Sequence, residues 1–149
     1  MIAFLHGPFA VSASPVALSC PVMGVAVPAG FPSPAEDWAE DRLDLNRRFI
    51  AHPESTFFFR VSGDSMVSPD PCRTIADGAT LVVDCRREAR HDDIVVAVID
   101  NDFTVKRLYA RGQRLALIAE NPAFPPIVLC EEQELSIWGV VVAWFMEPR

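Results

Sequence analysis

The chain predicts a mainly β fold: a folded sheet or barrel with one N-terminal helix and an extended N-terminal arm. Three observations predict it. From Thr56 onward, short β-branched and aromatic runs alternate with turn dipeptides. Residues 1–35 hold six prolines and no formally charged side chain. Between these two regions lies a short segment with helical start and stop signals.

The arm comes first. Pro15 and Pro21 interrupt its apolar stretch, and no Lys or Arg precedes or flanks it. A secretory signal needs a basic start, and a membrane span needs an unbroken apolar run with an orienting basic flank. Proline spacing instead favours an extended segment packed on the body or exchanged with a second subunit. Next, Ser33-Pro34-Ala35-Glu36 is a capping box with proline at the first helical position. Trp38, Leu45 and Phe49 then lie on one helical face, which predicts a helix running to about Ala51 and stopped by Pro53. Strands are expected at Phe57–Val61, Thr80–Asp84, Asp93–Ile99, Phe103–Tyr109, Arg114–Ala119, Pro126–Leu129 and Ser136–Phe145. Asp77-Gly78, Asp100-Asn101-Asp102, Arg111-Gly112 and Asn121-Pro122 supply the turns between them. So many short strands imply an antiparallel all-β architecture rather than a parallel α/β one. The resulting division is an arm over 1–29, a linker and helix over 30–55, and a β domain over 56–149.

With 149 residues, the chain is long enough for one real core. Its net charge of -7 argues against direct nucleic-acid binding, which needs clustered Lys and Arg on phosphates. Cys20, Cys72, Cys85 and Cys130 are far apart, and His6, His52 and His91 do not join them at metal-ligand spacing. Reduced thiols in a cytoplasmic protein are the expectation, with no metal and no cofactor.

One residue carries chemical information out of proportion to its surroundings. Lys106 is the only lysine, every other Lys/Arg position being arginine, and it sits in the strand-like run Phe103-Thr-Val-Lys-Arg-Leu108. An amine can shed its proton and act as a base, whereas a guanidinium cannot. Its usual pKa of about 10.4 must first fall, and burial away from carboxylates lowers it. Strand alternation puts Lys106 on the face of Thr104 and Leu108 and turns Arg107 away. Upstream, Ser62-Gly-Asp-Ser-Met66 is a small-residue turn able to present the Ser65 hydroxyl. A serine activated by a neutral lysine is a nucleophile–base pair suited to peptide-bond cleavage. The bland reading is a snorkelling surface lysine and an ordinary polar turn.

Taken together, Ser62-Gly-Asp-Ser-Met66, Ile75-Ala-Asp-Gly78, Asp93-Ile-Val-Val96 and Asp102-Phe-Thr-Val-Lys-Arg-Leu108 resemble the self-cleaving Ser/Lys domain of the LexA–UmuD family. Gly30-Phe-Pro-Ser-Pro-Ala35, Leu43-Asp-Leu-Asn46, His52-Pro53, Asn121-Pro-Ala-Phe-Pro-Pro-Ile127 and Trp138-Gly-Val-Val141 are similar to the UmuD type in particular. The resemblance spans roughly residues 28–145 and implies a folded sheet shared with signal peptidases. It makes Ser65 the nucleophile, Lys106 the general base, and Ala29–Gly30 the scissile bond. It also implies a homodimer whose cleavage is stimulated by the RecA–single-stranded-DNA filament in the SOS response. The shortened form would then serve a UmuC-type translesion polymerase. On this reading Trp138–Phe145 supplies either a dimer edge or core. Two features depart from the pattern: a longer loop between Met66 and Ile75, holding Pro69, Pro71 and Cys72, and the apolar segment before Ala29.

Three other readings are weaker. A repressor needs a basic DNA-reading helix ahead of the cleavage site, and the proline-rich arm has none. A signal-peptidase-like processing protease anchored in the membrane needs a basic flank that is missing. A non-catalytic binding module would not need both Ser65 and Lys106.

Overall fold

The structure, a computed structural model, describes residues 9–10, 17, 20–23, 29–30, 39–128 and 135–148. Among the described residues, ten strands and one short α-helix follow in the order β1 (Phe9–Ala10), β2 (Cys20–Met23), β3 (Ala39–Leu43), α1 (Leu45–Phe49), β4 (Thr56–Arg60), β5 (Thr80–Asp84), β6 (Ile94–Ile99), β7 (Asp102–Arg111), β8 (Arg114–Ile118), β9 (Ile127–Val128) and β10 (Leu135–Phe145). Eight of them form one antiparallel sheet in the order β1-β4-β5-β10-β6-β7-β8-β9, while β2 and β3 pair separately. The seven strands expected from Thr56 onward are all present, with ends shifted by a residue or two. Among the described residues no helix is long and apolar enough to cross a membrane.

Alternation explains why the sheet buries both faces. β6 sends Ile94 and Val96 into one apolar cluster with Val61, Met66, Ile75, Leu81, Val83 and Val141. Its intervening residues Val95 and Ala97 enter a second cluster with Leu108, Leu117 and Val140. The β6–β7 hairpin turns at Asp100 and Asn101, with φ of 49° and 70°. Two positive φ values in sequence match the twist of the flanking strands, and Asp and Asn are the non-glycine residues that adopt them most readily.

The helix is shorter than its periodicity predicts. Ala39–Leu43 is a strand, with Cys20 opposite Leu43 and Met23 opposite Ala39, and only Leu45–Phe49 is helical. Asp44 ends the strand and starts the helix, its Oδ1 accepting from the N–H of Asn46 at 3.0 Å and of Arg47 at 3.3 Å. Pairing with the arm supplies the Ala39–Leu43 backbone with partners that a helix would otherwise have to provide. Leu45 and Phe49, two members of the expected apolar face, are exposed. The capping box at Ser33–Glu36 lies outside the described residues. Within the arm, Phe9–Ala10 pairs with β4 of its own chain and Cys20–Met23 with β3.

β10 pairs with β6 over Leu135–Val140 and with β5 over Val140–Phe145, and its buried Val140 and Val141 join the core. Gly139 sits at a register shift in it, and a Cβ there would meet Val83 Cγ1 at 2.7 Å and the Asp84 carbonyl oxygen at 3.1 Å. Neither neighbour can yield, one being a β-branched side chain in the core and the other backbone. Gly139→Ala is therefore expected to cost about 1–3 kcal/mol of stability. Urea titration in a Ser65→Ala background checks it, and a variant of unchanged midpoint contradicts the close packing.

Candidate active site

Ser65 lies on the turn that follows β4, and that turn is pinned from three directions. Val61 N–H donates to the Ala79 carbonyl at 2.8 Å, and Gly78 N–H donates back to Val61 at 2.9 Å. Gly63, with φ of 96°, donates its N–H to Asp77 Oδ1 at 2.7 Å. The Ile75-Ala-Asp-Gly78 motif thus acts as a brace for the Ser62–Met66 turn. Met66, 1% exposed, plugs the core beneath, and its carbonyl accepts from Ile75 N–H at 2.9 Å. On the remaining side Asn121 donates its backbone N–H to the Ser65 carbonyl at 3.0 Å and its Nδ2 to the Asp64 carbonyl at 3.1 Å.

β7 brings Lys106 to this turn from 41 residues away, its Nζ lying 2.9 Å from Ser65 Oγ. The same nitrogen is 2.9 Å from Thr104 Oγ1 and 2.9 Å from the Val105 carbonyl oxygen. None of these partners carries a formal charge. Lys106 is 8% exposed, and burial pushes its amine below the usual lysine range. The three partners suit a neutral amine. Two N–H groups donate to Val105 O and Thr104 Oγ1, and the remaining lone pair accepts from the Ser65 hydroxyl. Arg107 faces elsewhere, as strand alternation requires, and pairs through Nε with Glu120. Arg73, in the longer loop, reaches the same buried carboxylate at 3.1 Å.

Ser65 and Lys106 open onto a cleft of about 210 Å³ whose apolar walls include Phe59, Val61, Leu81, Phe103 and Val105. Phe103 is exposed and packs against Phe59 with ring centroids 5.6 Å apart, and Phe59 against Trp138 at 4.9 Å. Ala29 and Gly30 stand elsewhere. Both are exposed, neither lines the cleft, and a Cβ on Gly30 would meet nothing within 4 Å.

Asp77, Glu120 and Asn121 join the site only through the fold. Asn121-Pro122 is legible as a turn, and nothing in the local sequence says which backbone that turn will grip. The longer loop is itself ordered by Thr74, whose Oγ1 donates to the Ser68 carbonyl at 2.8 Å and accepts from Ser68 N–H at 3.0 Å. Trp144 Nε1 donates to the Thr74 carbonyl at 3.2 Å. Among the described residues no group of His, Cys, Asp and Glu could hold a metal ion.

A family model described as Peptidase S24-like matches residues 21–142. The LexA repressor of Ectopseudomonas mendocina is 43% identical over 123 residues, 82% of this chain and 57% of its own length. Protein MucA of Escherichia coli is 43% identical over 122 residues, 81% of this chain and 80% of its own. Protein SamA of Salmonella typhimurium is 42% identical over 135 residues, 91% of each chain. A match that takes in β2 through most of β10, with relatives aligned over most of their length, leaves one conclusion: the protein belongs to the Peptidase S24-like family.

Proposed function

We propose that this protein is the self-cleaving regulatory subunit of an error-prone translesion polymerase in the SOS response. The observation that carries the reading is the buried, uncharged-partner contact of Lys106 Nζ with Ser65 Oγ at 2.9 Å. Lys106 takes the Ser65 proton as Oγ attacks the carbonyl of Ala29. The tetrahedral intermediate collapses by expelling the Gly30 amine, which receives that proton from the Lys106 ammonium. Water, deprotonated in turn by Lys106, then hydrolyses the acyl-serine. Residues 1–29 leave, and 30–149 remain as the active form, with 30–55 a linker carrying α1 and 56–149 the peptidase-like body.

Small residues at the scissile bond support this, because a narrow cleft admits Ala-Gly backbone to attack distance more readily than bulky neighbours. With Ala29 and Gly30 standing outside the cleft, cleavage needs a rearrangement of the arm or delivery from a second copy. A RecA–single-stranded-DNA filament that favours the docked arm would stimulate the reaction without adding a catalytic group. A homodimer in the cytoplasm, with a UmuC-type polymerase as partner of the shortened form, completes the reading.

Mass spectrometry of the purified protein, incubated alone and with an activated RecA filament beside Ser65→Ala, tests it. The expected product begins at Gly30, with Ser65→Ala intact in both conditions. A wild-type chain that stays whole with the filament present would instead mark a binding module that keeps the pair unused.

A further inference from the structure

We infer that Asn121 is a positioning residue: it holds the Asp64–Ser65 peptide so that the Ser65 N–H faces the cleft and receives the oxyanion of the scissile carbonyl. The inference rests on the Ser65/Lys106 reading and adds to it the group that aims a transition-state donor.

The geometry is local. A trans peptide directs its carbonyl and N–H to opposite sides, and no cis bond occurs among the described residues. Asn121 Nδ2 donates to the Asp64 carbonyl at 3.1 Å, so the N–H of that peptide unit, which belongs to Ser65, points away from Asn121. Ser65 lines the cleft and Asn121 is not among its lining residues, and the inferred place of the Ser65 N–H is the cleft side. Among the described residues no acceptor takes the Ser65 N–H. The Asp64 carbonyl also accepts from Val67 N–H at 3.0 Å, and the Ser65 carbonyl accepts from Asn121 N–H at 3.0 Å. Both peptide units around the nucleophile are therefore anchored by their carbonyl oxygens.

Asn121 is itself held. Its Oδ1 accepts from Ala123 N–H at 3.0 Å, closing the Asn121-Pro122 turn. Its neighbour Glu120 is gripped by Arg107, next to Lys106, and by Arg73 of the longer loop. The side chain that aims the donor is tied by one residue to the strand that carries the base.

Asn121→Ser removes the Nδ2 donor, keeps the backbone bond to Ser65, and adds no charge. The expected result is a self-cleavage rate lowered about tenfold to a hundredfold at every pH, since a misplacement of about 1 Å costs about a hundredfold. The pH midpoint of the rate should not move, because Asn121 is not among the partners of Lys106 Nζ. Asn121→Asp provides the second variant. It keeps the Ala123 bond but faces the Asp64 carbonyl with an acceptor, and should lose at least as much rate at high pH. Cleavage of either variant within about threefold of wild type overturns the inference. So does a loss in Asn121→Ser that comes with a shifted midpoint, which would place the damage at the amine. If the wild type never cleaves, the Ser/Lys reading fails and this inference with it; a cleaving wild type and an unimpaired Asn121→Ser sink the inference alone.

Discussion

Lys106→Arg should abolish self-cleavage although it preserves the positive charge and most of the side-chain length. Arginine stays protonated at any working pH and cannot accept the Ser65 proton. Loss of a positioned base costs about a thousandfold, and a nucleophile and base that act as one unit lose nearly everything with either member. Ser65→Ala, Lys106→Ala and Lys106→Arg should therefore be indistinguishable in a cleavage time course followed by mass. A Lys106→Arg protein that still cuts would mean that charge, not basicity, is what the site needs.

The pH dependence of the wild type follows from the same burial. Desolvation lowers the Lys106 pKa from the ordinary value of 10.5. Below the lowered value the amine is mostly protonated, so the rate should rise about tenfold per pH unit and then level off. Stability should move in the same direction. Below the lowered pKa both folded and unfolded chains hold the proton, and the fold bears the cost of the buried charge. Between the lowered pKa and 10.5 the unfolded chain binds a proton that the folded one has shed, so stability climbs with pH across that window. Lys106→Met should erase the climb in urea titrations taken along the same pH series.

The largest loss of stability is expected from Asp84→Ala. This side chain at the end of β5 is 4% exposed and accepts from three donors: His52 Nδ1 at 2.6 Å, Arg86 N–H at 2.8 Å and Arg87 N–H at 3.3 Å. It fastens the segment after α1 to the sheet, helped by Thr56 Oγ1, which donates to the His52 carbonyl at 2.7 Å. Removing it leaves three donors short of an acceptor beside a buried site, a cost of about 2–4 kcal/mol. Burial by itself would raise the Asp84 pKa. The His52 bond and the Arg86 and Arg87 N–H groups outweigh burial and leave it below 3.8. The carboxylate's contribution is accordingly complete above 3.8 and is lost as pH falls through the lowered folded value. Chemical denaturation of Asp84→Ala against wild type, both carrying Ser65→Ala, measures the first effect. An acid titration in which the two curves converge measures the second, and curves that stay parallel contradict it.

His52-Pro53 illustrates how a motif can be recognised before its physics is visible. The pair could be matched to a family by sequence, yet the reason for histidine there is Asp84, 32 residues on. Asn121 was legible as a turn former because Asn-Pro breaks regular structure locally. Its grip on the Asp64 carbonyl spans 57 residues and leaves no local trace.

What the chain determines by itself is whatever depends on near neighbours. β-branched and aromatic runs bounded by turns mark β5, β6, β7 and β10 as strands, because such side chains fit a pleated surface whatever the partner strand. Asp100-Asn101 marks a hairpin, because positive φ is a property of the residues in the turn. A lone lysine in an apolar run marks a candidate base, because desolvation begins with its own strand neighbours. Tertiary structure decided the rest. Ala39–Leu43, legible as helix, became strand because β2 offered its backbone partners. β10 became a bridge, its first half pairing with β6 and its second half with β5. The 2.9 Å between Lys106 and Ser65 exists only because the sheet folds β7 against the turn after β4. A hydrogen bond needs its partner within about 3 Å, and only the folded chain brings residues so far apart in sequence to that distance.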